Sequence, residues 1–140
     1  MNHDSYSDDY LRGILTGVKT IAMVGASEKP NRPSHGVMRF LQAKGYRVIP
    51  VNPRSSLPEI LGEKVYPSLD AIPGKIDMVD VFRRSEETAP IIDAAIKTGA
   101  QVVWMQLGVR NAAAAAKAEA AGLKVVMNRC PKIEYARLIG

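Results

Sequence analysis

The chain alternates short runs of consecutive apolar residues with longer stretches in which apolar positions return every third or fourth residue. "TIAMV" (20–24) is almost wholly apolar and stops at Gly25, which predicts a buried strand. In "SHGVMRFLQAK", Val37, Phe40, Leu41 and Lys44 fall at helical intervals, with Ser34 the expected N-cap and Gly45 the stop. "YRVIPVNP" predicts a second strand ending at Asn52-Pro53, where proline would interrupt a central ladder. Residues 54–76, broken by Pro and Gly, predict only a short strand at "KVY" and a turn or short helix at "SLDAIPG".

The rhythm then resumes. "IDMVDVF" predicts a strand, followed by a helix with Ile92, Ala95 and Ile96 on one face, Thr88 as N-cap, Pro90 in the first turn and Gly99 at the end. "QVVWMQL" predicts a strand and "NAAAAAKAEAAG" a tightly packed helix between a capping Asn111 and Gly122. "LKVVMN" and "CPKIEYARLI" complete the series, the latter a helix with Pro131 in the favoured first position. A further helix is expected over about residues 7–17.

Read together, these are five β/α units. Strands separated by amphipathic helices are parallel and joined by right-handed crossovers. The expected fold is therefore α/β, a Rossmann-like open parallel sheet with helices on both faces. At 140 residues the chain has room for one core, giving a single domain over 1–140 with residues 1–18 as a helical segment packed on it.

Composition narrows the function classes. No apolar stretch approaches the roughly 20 residues of a membrane span. The polar, acidic start "MNHDSYSDDY" lacks the features of a secretory signal, so the cytoplasm is the expected compartment. A single cysteine, Cys130, rules out an intrachain disulfide, and no Cys/His cluster suggests a metal. The net charge of +5 and pI near 9.5 point to an anionic partner. Because Lys and Arg are scattered and aromatics are only 6%, a phosphorylated small molecule is favoured over nucleic acid.

In open parallel sheets ligands bind beyond the carboxyl ends of the strands, near the point where strand order reverses. That rule selects Gly25-Ala26-Ser27, Asn52-Pro53-Arg54, Phe82-Arg83-Arg84, Gln106-Leu107-Gly108 and Asn128-Arg129-Cys130. Gly25 lets a ligand approach the backbone, and the helix that follows presents free N–H groups to an anion. The loop from Glu28 to Pro33 is longer than a dinucleotide turn, and the next glycine, Gly36, already lies in the helix. This argues against pyrophosphate held in the manner of NAD. After the second strand, where NAD proteins carry an acid for the ribose hydroxyl, stand Asn52 and Arg54. A phosphorylated ribose fits, and both NADP and coenzyme A carry one.

The ordered segments "VGAS", "RPSHGVMRFL", "GYRVIPVNP", "VDVFRR", "QLGVRN" and "NRCPKIEY" resemble the stand-alone bacterial CoA-binding proteins, relatives of the CoA-binding domain of the succinyl-CoA synthetase alpha subunit. The resemblance spans about residues 12–139. It implies that Gly25, Ala26 and Ser27 line the phosphate turn, with Arg32 and Ser34 closing over it. It further implies that Asn52 and Pro53 meet the adenosine, with Arg54 near its phosphate. Phe82 and Arg83 would flank the adenine or pantetheine arm, Gln106 and Gly108 would complete the cleft, and Cys130-Pro131 matches a Cys-Pro pair of the synthetase. Two positions depart from the family pattern: Asn128 stands where an acid is expected, and Ser85 where a proline often follows "FRR".

Other residues have plainer readings. Met38, Met78, Met105, Met127 and Trp104 are expected in the core. His35 is expected to be a helix-entry residue and not a base, since no partner is in view. Cys130 reads first as an inert core cysteine. If it caps the last helix beside Arg129, its thiolate is favoured and a mixed disulfide with the CoA thiol becomes a hypothesis. The expectation is a non-catalytic module for CoA or acyl-CoA, a sensor or carrier acting with a protein partner. The alternative is an NADP-dependent oxidoreductase or redox sensor.

Overall fold

The structure, a computed structural model, describes residues 1–140. In chain order the elements are α1 (Asp8–Gly17), β1 (Thr20–Val24), α2 (Pro33–Ala43), β2 (Arg47–Val51), β3 (Glu59–Ile60) and β4 (Glu63–Lys64). They continue with β5 (Met78–Val81), α3 (Thr88–Thr98), β6 (Val102–Met105), α4 (Ala112–Ala120), β7 (Lys124–Val126) and α5 (Pro131–Leu138). Five strands form one parallel sheet in the order β2-β1-β5-β6-β7, while β3 and β4 form a separate antiparallel pair. From β1 the chain moves first to one neighbour, β2, and later to the other, β5. The strand order therefore reverses at the β1/β5 junction, where a crevice opens at the carboxyl rim.

Alternate strand residues face opposite helix layers, which is why the strands read as nearly continuous apolar runs. Ile21, Met23, Met78 and Trp104 pack with Leu11, Leu15, Met38 and Leu41 of α1 and α2. Ala22, Val79, Val103 and Met105 pack with Ile92 and Ala95 of α3 and Ala115 and Ala118 of α4. The alanine run of α4 buries Ala114, Ala115 and Ala118, small side chains that let the helix approach its neighbours closely. All four methionines and Trp104 expected in the core are buried.

Four local expectations are corrected. Between β2 and β5 there is no α-helix: the crossover consists of β3, β4 and a 3-10 turn at Leu69–Ala71, so the β/α alternation holds in four units. Leu69, Ile72 and Ile76 fill the core in place of the absent helix. The strand expected at "KVY" retains only Lys64, while Tyr66 makes an isolated bridge to Val51. Its N–H donates to the Pro50 carbonyl at 3.0 Å, and its carbonyl accepts from the Asn52 amide at 2.9 Å. Pro50 sits inside β2 because this is an edge strand and its missing N–H faces outward.

Helix starts account for the other two corrections. α2 begins at Pro33 with Arg32 in the N-cap position, so Ser34 is not the cap. Likewise Thr88 is the first residue of α3 and Glu87 its N-cap. The buried Thr88 hydroxyl donates to the Ser85 carbonyl at 2.7 Å and accepts from Asn111 Nδ2 at 2.9 Å. Asn111 itself caps α4 as expected, its side chain accepting from the Ala114 amide.

The opposite edge of the sheet is closed by the N-terminal segment. Tyr10 Oη donates to the Val125 carbonyl at 2.8 Å and accepts from its amide at 3.1 Å, and Tyr6 Oη accepts from the Met127 amide at 2.7 Å. Two hydroxyls thus satisfy outward-facing groups of β7 and of Met127 just after it, which would otherwise offer a template for another strand.

Candidate functional site

Two hollows meet at the β1/β5 junction. On the α3 side lies an apolar slot of about 410 Å³, with Val24, Val51, Pro53, Leu69, Ile91 and Ala94 among its walls. On the α2 side lies a polar cleft of about 540 Å³, lined among others by Ser27, Lys29, Arg32, Arg54 and Phe82. Gly25 and Arg83 belong to both. Gly25 has φ +89°, and a Cβ added there would overlap the Phe82 carbonyl oxygen and lie 2.9 Å from Arg83 Cδ. The close approach of the two loops, as well as the turn, requires glycine.

The loop after β1 folds around its own polar groups. The Ser27 amide donates to Ser34 Oγ at 3.0 Å, and the Lys29 amide donates to Ser27 Oγ at 3.1 Å. Ser34 therefore shapes the phosphate turn from inside α2. The helix is 11 residues long, starts without a side-chain cap and has no acid in its first turn, so its amino end opens into the cleft uncompensated.

Two ties join this loop to the one after β2. Asn52 Nδ2 donates to the Ala26 carbonyl at 2.8 Å while its Oδ1 accepts from the Arg54 amide at 2.9 Å. Both ends of Asn52 are thus committed to the scaffold. Glu28 accepts from the Ser56 hydroxyl at 2.8 Å, the Leu57 amide at 3.0 Å and the Ser55 hydroxyl at 3.2 Å. These bonds, that of Ser56 foremost, hold its carboxyl below the usual range.

Four cations, Lys29, Arg32, Arg54 and Arg83, and one carboxylate, Glu28, line the cleft. Arg83 pairs with Glu87 at 3.0 Å. Lys29, Arg32 and Arg54 take part in none of the molecule's ion pairs. Long cations lining one cleft without carboxylate partners, beside a helix amino end, form a seat for a polyanion.

Gly25, Ser27, Arg32, Ser34, Asn52, Arg54, Phe82 and Arg83 come together around the cleft, with Pro53 in the slot and Ala26 buried beneath them. Gln106, Gly108 and Cys130 do not line either hollow. Gln106 is buried and directs its amide nitrogen at both oxygens of Asp80, at 3.2 and 3.4 Å. The Gly108 amide donates to Asn128 Oδ1 at 2.7 Å. Asn128 has φ +59°, a conformation that Asn and Asp tolerate, and any side-chain oxygen there would hold the Gly108 loop without a charge being needed. At the other departure, Ser85 Oγ accepts from the Arg110 amide at 2.9 Å, a loop tie that proline would remove.

Cys130 occupies the N-cap position of α5, as its place before Pro131 suggested, but it is buried in the core as first read, and the alternative of a favoured thiolate is not met. Burial pushes the Cys130 thiol up, and the neighbouring Asp80 adds to that shift, outweighing the amides of Ile133 and Lys132. The Arg129 guanidinium lies over the Tyr6 ring and donates to the Asn128 carbonyl instead of serving the sulfur.

Sequence reasoning passed over Asp80 and Glu28. Asp80 is a fully buried carboxylic acid in the middle of β5, between Met23 and Trp104 in register. Loss of water pushes its carboxyl well above the usual range, opposed by the Gln106 amide. The signal was present as a lone acid in an apolar strand. Glu28 gave no signal, because its partners lie in a loop without regular structure.

Comparison with known proteins bears directly on this rim. Bacillus subtilis (strain 168) YneT is 41% identical over 126 residues, covering 90% of this chain and 92% of that protein. A solved structure of a Pyrococcus horikoshii OT3 protein superimposes with a TM-score of 0.93 at 46% identity, covering 100% of this chain and 97% of that one. The alpha subunit of ADP-forming acetate–CoA ligase I from Pyrococcus furiosus is 32% identical over 93 residues, 64% of this chain but only 20% of that subunit. The sequence profile of the CoA binding domain matches residues 19–136, from the residue before β1 into α5 and across the whole rim, and the chain belongs to that family.

Proposed function

We propose that slot and cleft together hold coenzyme A or an acyl-CoA, and that binding is the chain's activity. The observation that carries this reading is the trio Lys29, Arg32 and Arg54, cations without carboxylate partners facing one cleft that shares a wall with an apolar slot. The adenine fits the slot between Val51 and Pro53 on one side and Ile91 and Ala94 on the other. The pyrophosphate fits the turn from Ser27 to Ser34, and Arg54 stands beside the ribose phosphate. Charge-assisted hydrogen bonds contribute about 1.5–3 kcal/mol each, and micromolar affinity requires about 8 kcal/mol. Three such contacts with adenine burial are enough. His35, in the first turn of α2, has no carboxylate partner to make it a base.

NADP also carries a ribose phosphate, and Arg54 alone does not choose between the two. Thermal-shift titration with CoA, acetyl-CoA, NADP and NAD separates them: a shift with the first pair and none with the second is expected, and the reverse would establish the dinucleotide reading. Arg54→Ala is expected to weaken CoA roughly 10-fold or more, the equivalent of one charge-assisted bond, while leaving dephospho-CoA nearly unchanged. Equal losses for the two ligands would remove Arg54 from the ribose phosphate.

A further inference from the structure

Glu28 lines the same cleft as Lys29, Arg32 and Arg54, yet it pairs with none of them. A carboxylate in an anion-binding cleft should oppose binding by simple electrostatics. Its oxygens are instead turned to the far loop: Oε1 takes the Ser56 hydroxyl, and Oε2 takes the Ser55 hydroxyl and the Leu57 amide. Arg54 lies between these attachments and the Asn52 tie, so its backbone is fastened to the loop after β1 on both sides.

From this arrangement we infer that Glu28 is a positioning residue, a clasp that presents Arg54 to the ribose phosphate of the ligand. The inference rests on the CoA reading of the cleft. An arginine loses considerable side-chain freedom when it engages a ligand, and a mobile backbone beneath it adds to that loss. Fixing residues 52 and 55–57 removes the backbone share before the ligand arrives. The carboxylate's unfavourable charge is softened because the Ser56 hydroxyl and the Leu57 amide already face it, with the Ser55 hydroxyl shared between it and the Leu57 carbonyl.

The clasp predicts an effect opposite in sign to that of charge removal. Calorimetric titration with CoA and dephospho-CoA is compared for wild type, Glu28→Gln, Glu28→Ala, Arg54→Ala and the Glu28→Ala/Arg54→Ala double variant. Glu28→Ala is expected to weaken CoA about 5- to 10-fold, and Glu28→Gln, which keeps one acceptor oxygen, by less. Dephospho-CoA is expected to bind both variants as well as or better than wild type. In the Arg54→Ala background, loss of Glu28 is expected to leave CoA affinity no weaker. Hydrogen exchange of the Leu57 amide in the unliganded protein is expected to quicken in Glu28→Ala, which checks the clasp without any ligand.

Tighter CoA binding by Glu28→Ala, equal weakening of both ligands, or weakening that persists without Arg54 would each overturn the positioning role while leaving the CoA reading intact. Wild-type protein that takes up neither ligand would overturn that reading and the positioning role together.

Discussion

Gly25→Ala is expected to lower stability by about 2–6 kcal/mol and to abolish CoA binding in whatever fraction still folds. Two costs combine. The φ of +89° lies in the region where a side chain is strained, and the added methyl group would occupy the space of the Phe82 carbonyl oxygen. That oxygen cannot swing aside as the end of a flexible side chain could. It belongs to the backbone that follows β5, and the Phe82 amide is bonded to the Val24 carbonyl at 2.8 Å. Relief therefore requires β1 and β5 to part at the junction where slot and cleft share their wall. Against a total stability of about 5–15 kcal/mol, the loss should lower Tm by roughly 10 °C or more. Gly36→Ala provides the comparison. It lies in α2 with nothing within 4 Å of an added Cβ, so it should be neutral or gain up to about 1 kcal/mol from helix propensity. Equal melting temperatures for wild type and Gly25→Ala would contradict the close loop approach.

This contrast also marks how far the sequence could be read. Gly25 was identifiable because it ends an apolar strand ahead of a helical pattern, and periodicity located the five strands of the main sheet for the same reason. The fold depends on local signals repeated along the chain, and such signals are sequential. Arg54 followed from the absence of an acid after β2. What remained hidden depends on who faces whom across the rim. The Arg83–Glu87 pair, four residues apart, lay within reach of spacing, but that Arg54 meets no carboxylate is not encoded by it, nor is the separation of Gln106 and Gly108 from the cleft. The irregular crossover of residues 54–76 carries half of the Glu28 clasp and Leu69 of the slot wall. Its hydrogen bonds run to side chains in another loop, so no period announces them. Ser34 shows the same limit from the other side: it looked like a helix cap, but its hydroxyl serves the Ser27 amide seven residues back.

Asp80 gives the second large effect, a dependence of stability on pH. Its folded carboxyl is raised well above the ordinary value because it is wholly buried, with only the Gln106 amide favouring the charged form. The folded protein thus holds a proton that the unfolded chain releases near pH 4. Where the native state binds more protons, stability falls as pH rises. The decline should begin at about pH 4, run at up to about 1.4 kcal/mol per pH unit, and end only when the folded carboxyl itself ionises. Other shifted groups act outside the middle of this range. The lowered carboxyls of Asp70, Asp77, Glu28 and Glu87 act in acid, and the raised Cys130, Tyr6, Tyr10 and Tyr46 act in base, with Tyr10 and Tyr46 pushed up to about 12. Asp80→Asn keeps the shape and leaves an acceptor for Gln106, but has no proton to lose. Its stability relative to wild type is expected to grow as pH is raised from about 5 to 7, read from urea midpoints at both values. Asp80→Ala should instead be destabilised at both, because it opens a cavity and strands the Gln106 amide that anchors the loop after β6. Parallel profiles for wild type and Asp80→Asn would mean that the carboxyl ionises at the same pH in both states, and the buried acid would then contribute nothing to the pH dependence of stability.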